Sequence, residues 1–183
     1  NNIDALIFSD FNYGCLPQEL LDQIMELIKG KKIITAADSQ CSSQIGDISR
    51  FKDINLITPT EFEARMSIRN NDDGLTVLGR KLMQKTKVEN IILKLGSQGL
   101  IIFPSLTNKF KEDKLDALNQ NPVDISGAGD SLLISAALSL AAGASIYESS
   151  LIGSIAAAIQ VGRLGNIPLD LNSLYNIIQE DNI

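Results

Sequence analysis

The sequence predicts an α/β fold in which a mostly parallel sheet is covered by helices on both faces. Two observations predict it: short apolar runs recur along the chain, and segments with apolar residues at helical spacing separate them. No repeat, low-complexity segment or linker interrupts this alternation, so we expect one domain over residues 1–183.

The predicted strands are the apolar runs that end at residues typical of turns. They cover residues 5–8, 33–36, 55–58, 90–95 and 100–103. Gly96 and Gly99 bracket the short connection between the last two strands, which we predict to be a turn.

The predicted helices follow from apolar spacing and from their end residues. Pro17 suits a first helical residue, Gly30 suits a helix end, and Ser145 with Glu148 has the spacing of a capping box. The expected helices cover residues 17–28, 131–142, 145–161 and 172–179, with two more starting at 61 and near 73. Residues 109–122 are polar and aperiodic, and we predict an irregular segment there.

Composition narrows the classes of function. The net charge of −6 argues against nucleic acid and against an anionic membrane surface as partners, because both require basic patches. The most apolar stretch, residues 132–161, contains Gly143 and Glu148, so we expect two buried helices there and no membrane span. Cys15 and Cys41 lie far apart and are expected to be reduced thiols of a cytoplasmic protein without a signal peptide.

The absence of histidine limits the available chemistry further. The sequence has no histidine, which removes histidine-based triads and histidine metal sites, so a general base would be a carboxylate or, as a less favoured alternative, a lysine, tyrosine or cysteine. In mostly parallel sheets, ligands bind beyond the carboxyl ends of the strands. Asp10, Asp38, Thr60 and Gly96 are predicted to lie at that edge.

The segment with the clearest chemical meaning is DISGAGD, residues 124–130, which directly precedes an apolar helix. Gly127 and Gly129 allow the backbone to approach a ligand, and the N–H groups at the start of the helix favour an anion. Asp130 would stand beside that anion, where a carboxylate can accept the proton of an attacking hydroxyl. The alternative is an ordinary glycine turn with Asp130 as a helix cap. The segment has the spacing of neither a P-loop nor a Rossmann fingerprint.

DISGAGD resembles the second signature of the ribokinase/pfkB family of carbohydrate kinases, and the order of flanking elements agrees from residue 4 to about 174. The resemblance implies a ribokinase-like fold. Within the family, the sequence most resembles the kinase domain of bifunctional ADP-heptose synthases. That finer resemblance depends on Ser9-Asp10-Phe11 with Gly14, on Thr58-Pro59 with Glu61-Phe62-Glu63-Ala64, and on Val161-Gly162-Arg163-Leu164-Gly165.

The resemblance assigns roles in phosphoryl transfer. It implies that Asp130 is the catalytic base and that Gly127, Ala128 and Gly129 form an anion hole for the γ-phosphate of ATP. It also implies that Glu63 organises Mg²⁺ and phosphate through water. The residues alone favour a different interpretation, in which Glu63 is part of a solvated helix face.

The resemblance also assigns a nucleotide-binding strip. It implies that Gly96 and Gly99 border the nucleotide, that Lys94 contacts phosphate and that Ser154 lies near the adenine. The alternatives are an exposed lysine at a strand end and a small serine that serves helix packing.

The sequence departs from the family pattern at three positions and in length. Thr60 replaces an expected asparagine, and Gln40 and Tyr13 replace lysines near the phosphates. The family's N-terminal strand, sugar-binding Gly-Gly motif and β lid are expected to be absent. One sheet edge would then be open, so we expect self-association.

The resulting hypothesis is a kinase that uses ATP and Mg²⁺ to phosphorylate a sugar or sugar phosphate, with heptose 7-phosphate as first candidate. Residues 1–183 alone are expected to be inactive toward sugars. Two alternatives stay open: a non-catalytic nucleotide-binding or regulatory module, and a ribokinase-like kinase of a nucleoside or vitamin alcohol.

Overall fold

The described residues contain six strands and six α-helices; strands and helices intermix up to residue 86, three strands then follow one another, and three helices end the fold. A computed structural model describes residues 3–41, 44–105 and 111–180. The strands are β1 (Ala5–Asp10), β2 (Ile34–Ser39), β3 (Leu56–Ile57), β4 (Asn90–Lys94), β5 (Leu100–Phe103) and β6 (Asp113–Leu115).

The strands form one sheet in the order in which they occur in the chain. Strands β1 to β4 are parallel, while β5 runs antiparallel to β4 and β6 antiparallel to β5. Within the described residues, β1 pairs only with β2 and lies at one edge. The expected mostly parallel sheet is therefore confirmed.

The helices connect the strands and follow them. They are α1 (Gln18–Ile28), α2 (Glu61–Ile68), α3 (Leu75–Thr86), α4 (Ala128–Ala141), α5 (Ile146–Val161) and α6 (Leu171–Glu180). Capping boxes with both reciprocal hydrogen bonds begin α2 and α5. The box at α5 is the one that the spacing of Ser145 and Glu148 predicts.

Helices cover both faces of the sheet, as expected. On one face, helices α1, α2 and α3 contribute Leu21, Ala64, Leu78, Leu82 and Met83 to a core with Phe8, Ala37, Ile57, Ile91 and Leu93. On the other face, α4 and the start of α5 contribute Leu132, Leu133, Ala136, Ala137 and Ile146, which pack with Ala36, Leu56, Ile92, Leu100 and Ile102. Each central strand is thus apolar on both sides, which explains the near-continuous apolar runs.

The structure corrects two expectations. The segment predicted to be irregular contains β6, whose backbone pairs with β5, although Lys109 and residue 110 lie outside the described residues. Helix α4 begins at Ala128 and not at residue 131, so Gly129 and Asp130 belong to its first turn. No helix in the described ranges combines the length and apolar character that crossing a bilayer requires.

Candidate active site

The DISGAGD segment, residues 124–130, forms a turn that we call the glycine loop. Gly127 has a φ of 76°, in the left-handed region that favours glycine, and a Cβ there would collide with the side chain of Asn166. Because Gly127 directly precedes α4, its conformation sets how the first backbone N–H groups of that helix are presented.

The glycine loop leaves several N–H groups open. Those of Gly127, Gly129 and Asp130 donate to no acceptor among the residues that the structure describes. The N–H of Ala128, which the family resemblance also assigns to the anion hole, donates to the carbonyl of Ile125 at 3.3 Å. Open amides at the positive end of a helix dipole are suited to an anion.

Asp130 lies in the first turn of α4 and is half-buried. Its carboxylate makes no hydrogen bond or ion pair with any residue in the described ranges. A side-chain cap would accept a hydrogen bond from the helix backbone, and Asp130 accepts none there, so it is not an ordinary helix cap. It is a carboxylate next to open backbone donors.

Lys94 ends β4 and is tied to a carboxylate from β2. Its Nζ lies 2.8 Å from Oδ2 of Asp38, and the two residues are 56 positions apart in the chain. A Cβ added to Gly129 would stand 3.3 Å from Lys94 Nζ and 3.8 Å from Asp38 Oδ2. The backbone of the glycine loop therefore passes directly over this ion pair.

Asp38 is the most perturbed acid of the site. It is 1% exposed, and this burial raises its pKa to about 6, although the ion pair with Lys94 acts in the opposite direction. Its second oxygen, Oδ1, is buried without a hydrogen-bond partner in the described part of the chain. A perturbed carboxylate beside open amides is typical of functional sites.

A cavity of about 360 Å³ begins at the glycine loop. Its lining includes Lys94, Gly96, Gly99 and Ser154, which are all the positions that the family resemblance assigns to the nucleotide, together with Ala128 and Gly129. The remaining wall is mostly apolar and includes Leu100, Leu118, Pro122, Ile125, Leu132, Ala157, Ala158 and Val161. Asp130, Gly127 and Glu63 do not line it.

The turn between β4 and β5 shapes one wall of this cavity. Gly99 has a φ of 85°, and a Cβ there would collide with the backbone of residues 115–117. The predicted turn is confirmed, because residues Gly96–Gln98 form a single 3₁₀ turn between the strands. Gly99 thereby allows the segment after β6 to approach the cavity.

Glu63 is 7% exposed and is not part of a solvated helix face. Its Oε2 accepts from the N–H of Thr60 at 2.7 Å, and its Oε1 accepts from the N–H of Cys41 at 3.2 Å. Thr60 in turn accepts from the N–H of Glu63 and is the N-cap of α2. The threonine that replaces an asparagine thus serves as a helix cap.

The acidic groups can be tested for a fit to Mg²⁺. Among the described residues, no group of three or more acidic or cysteine side chains could hold a metal ion by itself. Mg²⁺ commonly keeps several waters and binds through one or two carboxylates together with nucleotide phosphates. The unpaired Oδ1 of Asp38 and the carboxylate of Glu63 fit that indirect mode of binding. The negative charge of Glu63 also contributes to the raised pKa of Asp38, so the two carboxylates are close enough to repel each other.

Sequence reasoning missed two contributors to the site. One is the ion pair of Asp38 with Lys94, because the sequence placed Asp38 only at the rim. The other is Gln160 of α5, whose Nε2 donates to the carbonyls of Ser126 and Gly165 at 3.1 Å each. A glutamine in an otherwise apolar helical run was the available indication, but the run does not reveal its partners.

Comparisons with known proteins bear on the fold and the family of this chain. The bifunctional protein HldE of Syntrophotalea carbinolica is 27% identical over 179 residues, which are 96% of this chain and 35% of that protein. Phosphofructokinase-2 from Escherichia coli, solved in complex with potassium, superposes with a TM-score of 0.79 at 18% identity over 98% of this chain and 57% of its own. Ribokinase from Arabidopsis thaliana, solved with ribose and ATP, superposes with a TM-score of 0.78 at 20% identity. The match covers 96% of this chain and 56% of that ribokinase.

The two structural likenesses establish a ribokinase-like fold. The chain spans about a third of the length of the curated relatives and somewhat more than half of the solved structures. The pfkB family of carbohydrate kinases matches residues 1–172, nearly the whole sequence. The chain therefore belongs to the pfkB family of carbohydrate kinases.

Proposed function

We propose that this chain supplies the nucleotide-binding and catalytic part of a kinase that transfers the γ-phosphoryl group of ATP to a hydroxyl of a sugar or sugar phosphate. One observation carries the proposal. The carboxylate of Asp130, without a partner among the described residues, stands beside the open N–H groups of the glycine loop, where an apolar cavity of about 360 Å³ begins.

The cavity would take the nucleoside of ATP. Its volume falls within the range of about 300–1,000 Å³ that is typical of small-molecule sites, and its walls are mostly apolar, as a purine ring prefers. Gly96 and Gly99 would border the nucleotide, with Ser154 on the α5 side near the adenine. The phosphates would then extend toward Gly129 and the start of α4.

Lys94 would meet the phosphates near the glycine loop. Its ammonium group is held by Asp38 beside Gly129, so an arriving phosphate would find a preplaced positive charge. Preorganised donors need no rearrangement at the moment of reaction, which is why they are effective in stabilising developing charge.

Asp130 would act as the general base. It would accept the proton of the acceptor hydroxyl while that oxygen forms a bond to the γ-phosphorus. The bond from the γ-phosphorus to the bridging oxygen breaks, ADP leaves, and Asp130 later releases the proton to solvent. The N–H groups of Gly127 and Gly129 would stabilise negative charge on the transferring group.

Mg²⁺, when bound with the nucleotide, would neutralise charge on the phosphate oxygens. Glu63 and Asp38 would hold its water shell, Glu63 through the part of its carboxylate that the backbone donors leave accessible. Thr60 fixes the position of Glu63 through the capping box.

The acceptor is proposed from the relatives. Several curated relatives are bifunctional HldE proteins, and the likeness to the kinase domain of ADP-heptose synthases makes a heptose 7-phosphate the first candidate. Since this chain spans about a third of those relatives, the acceptor belongs to the whole protein and is a proposal for it.

The test is a kinase assay on the full-length protein with ATP, Mg²⁺ and a panel of heptose 7-phosphate, fructose 6-phosphate and ribose. Replacing Asp130→Asn should lower kcat about 10²–10⁴-fold and leave ATP affinity within a few-fold, because only the base is lost. The matched control is Asp72→Asn, an exposed acid outside the cavity lining, which should behave as the wild type. Near-normal turnover by Asp130→Asn would refute the assignment.

A second candidate is a nucleotide-binding or regulatory module without transfer activity. The observation in its favour is the ion pair of Lys94 with Asp38, because an ammonium group already neutralised by a carboxylate is a weaker partner for phosphate. The same assay separates the two functions. ATP binding without transfer to any acceptor in the panel would favour the module.

A further inference from the structure

Gln160 is the polar exception among the largest fully buried side chains of the described residues. It is 1% exposed, and the other large side chains buried to that extent are apolar. It lies in the last turn of α5, on the side of the helix that faces the glycine loop. Burying a primary amide is unfavourable unless its donors and acceptor are all used.

Both donors of this amide are engaged, and its oxygen accepts one hydrogen bond. Nε2 donates to the carbonyls of Ser126 and Gly165 at 3.1 Å each, and Oε1 accepts from the Nη2 of Arg163, also at 3.1 Å. Gln160 therefore joins the glycine loop to the turn that follows α5.

A second set of bonds joins the same two segments. Asp124 accepts from the N–H of Ser126 through Oδ1 at 2.9 Å and from the N–H of Gly165 through Oδ2 at 3.0 Å. These bonds lower the pKa of Asp124, so its carboxylate stays charged at neutral pH. The N–H groups of Val123 and Asp124 also donate to the carbonyl of Val161. Together, the bonds made by Gln160 and Asp124 hold the glycine loop against the turn that follows α5.

The bond from Gln160 fixes the direction of one particular N–H group. The carbonyl of Ser126 and the N–H of Gly127 belong to the same peptide unit, which is planar and trans. In a trans unit the C=O and N–H point in opposite directions. Holding the carbonyl toward Gln160 therefore turns the N–H of Gly127 away from α5, where it donates to no described residue.

We infer that Gln160 is a positioning residue for phosphate: by holding the Ser126 carbonyl, it orients the Gly127 N–H toward the triphosphate of the bound nucleotide. This inference rests on the proposed function, since it takes the glycine loop as the site of the phosphates. Gln160 does not line the cavity and acts only through the loop.

The variant Gln160→Met tests the inference in the full-length protein. Methionine has a similar volume but no donor, so the carbonyls of Ser126 and Gly165 lose their partner and the peptide unit is free to rotate. We expect ATP affinity, measured by isothermal titration calorimetry, to fall about fivefold or more. Adenosine, which has no phosphate, should bind with unchanged affinity.

The matched control is Ser150→Ala in the same helix. Ser150 is fully buried, but its hydroxyl bonds only the carbonyl of Ile146 within α5. Its replacement should leave the ratio of ATP affinity to adenosine affinity as in the wild type. If Gln160→Met does not fold, Arg163→Met carries the test, because, besides the bond of Arg163 to the carbonyl of Ile167, it removes the bond to Oε1 and leaves both donors of Gln160 in place. It should lower ATP affinity about twofold with no effect on adenosine.

The outcomes are distinct. A selective loss of ATP affinity in the Gln160 or Arg163 variant supports the inference. Equal loss for ATP and adenosine, or no loss, would overturn it while leaving the proposed function intact. A wild-type protein that binds no ATP would overturn the proposed function, and the inference with it.

Discussion

At the residue scale, Asp38 has the most unusual environment of the candidate site. Its carboxylate is almost completely buried, one oxygen pairs with Lys94, and the other has no partner in the described ranges. Such a group is unfavourable in its charged form unless it is paired, because burial removes its hydration. The ion pair reduces this penalty but does not cancel it, since the pKa remains raised.

The raised pKa predicts a pH dependence of stability. Because the pKa of Asp38 is about 6 in the folded chain and about 3.8 when unfolded, the folded state holds the proton more tightly between these values. The free energy of unfolding should therefore fall as pH rises from about 4 to 6. The contribution is at most about 3 kcal/mol, at about 1.4 kcal/mol for each pKa unit.

The measurement is urea denaturation of the wild type and of Asp38→Asn between pH 4 and 7. As the pH rises, the free energy of unfolding of the wild type should fall relative to that of Asp38→Asn, because only the wild type must lose the proton from the buried carboxyl group. The exposed Asp116→Asn serves as control and should follow the wild-type curve. Parallel curves for wild type and Asp38→Asn would show that Asp38 titrates normally.

At the scale of elements, the contact of α3 with β5 sets two effects against each other. Gly79 lies inside α3 and is buried against the ring of Phe103, which a Cβ at that position would overlap. Alanine would improve helix propensity by about 1 kcal/mol. Overpacking a closed core typically destabilises by about 1–3 kcal/mol.

We expect the packing effect to exceed the propensity effect, because Phe103 is itself buried and has little room to move. Gly79→Ala should therefore lower the free energy of unfolding by about 1 kcal/mol, measured by urea denaturation. Gly74→Ala is the control for the clash alone, since a Cβ there meets nothing within 4 Å, although alanine is a weaker N-cap of α3 than glycine. A Gly79→Ala protein more stable than the wild type would mean that the ring shifts at little expense.

Local patterns predicted most elements of this fold but not all of their limits. Buried strands appear in the sequence as near-continuous apolar runs and helices as apolar residues at helical spacing, and these elements were placed correctly. Strand β6 is short and polar, and its conformation depends on pairing with β5 rather than on its own residues. Helix α4 begins earlier than expected because the left-handed conformation of Gly127 ends the loop there, and Gly129 lies in the first turn of the helix despite the poor helix propensity of glycine.

The candidate site was predictable where it depends on contiguous residues. The glycine loop and the strip from Lys94 to Gly99 are short segments, and residues of both line the cavity. The partners of Asp38 and Gln160 come from distant parts of the chain, and only the folded sheet and helix pair bring them into contact. No local pattern encodes such pairs.

At the scale of the whole molecule, β1 is a sheet edge with apolar neighbours. Among the described residues it pairs on one side only, while Leu6 and Ile7 are half-buried and Ile3 is 55% exposed. Unpaired strand groups next to apolar side chains form a surface that readily pairs with another chain. The net charge of −6 opposes this weakly, because salt screens charges over about 8–10 Å.

We therefore expect the polypeptide of residues 1–183 to self-associate, with a mass in light scattering that rises with concentration. The variant Ser9→Lys, which adds a charge at an exposed position of β1, should weaken the association. A strict monomer at every concentration would show that the edge is covered in solution. Unchanged association of Ser9→Lys would place the contact elsewhere on the surface.

The antiparallel pairing of β4 with β5 also has a consequence for the time course of folding. These two strands are joined by one short turn, whereas each parallel pair must first close a long crossover. Short loops close fastest, so we expect this hairpin to form before the parallel strand pairs. Lys94 and Gly99 would thus be in place early, and the glycine loop, which must arrive from far along the chain, would complete the nucleotide site last.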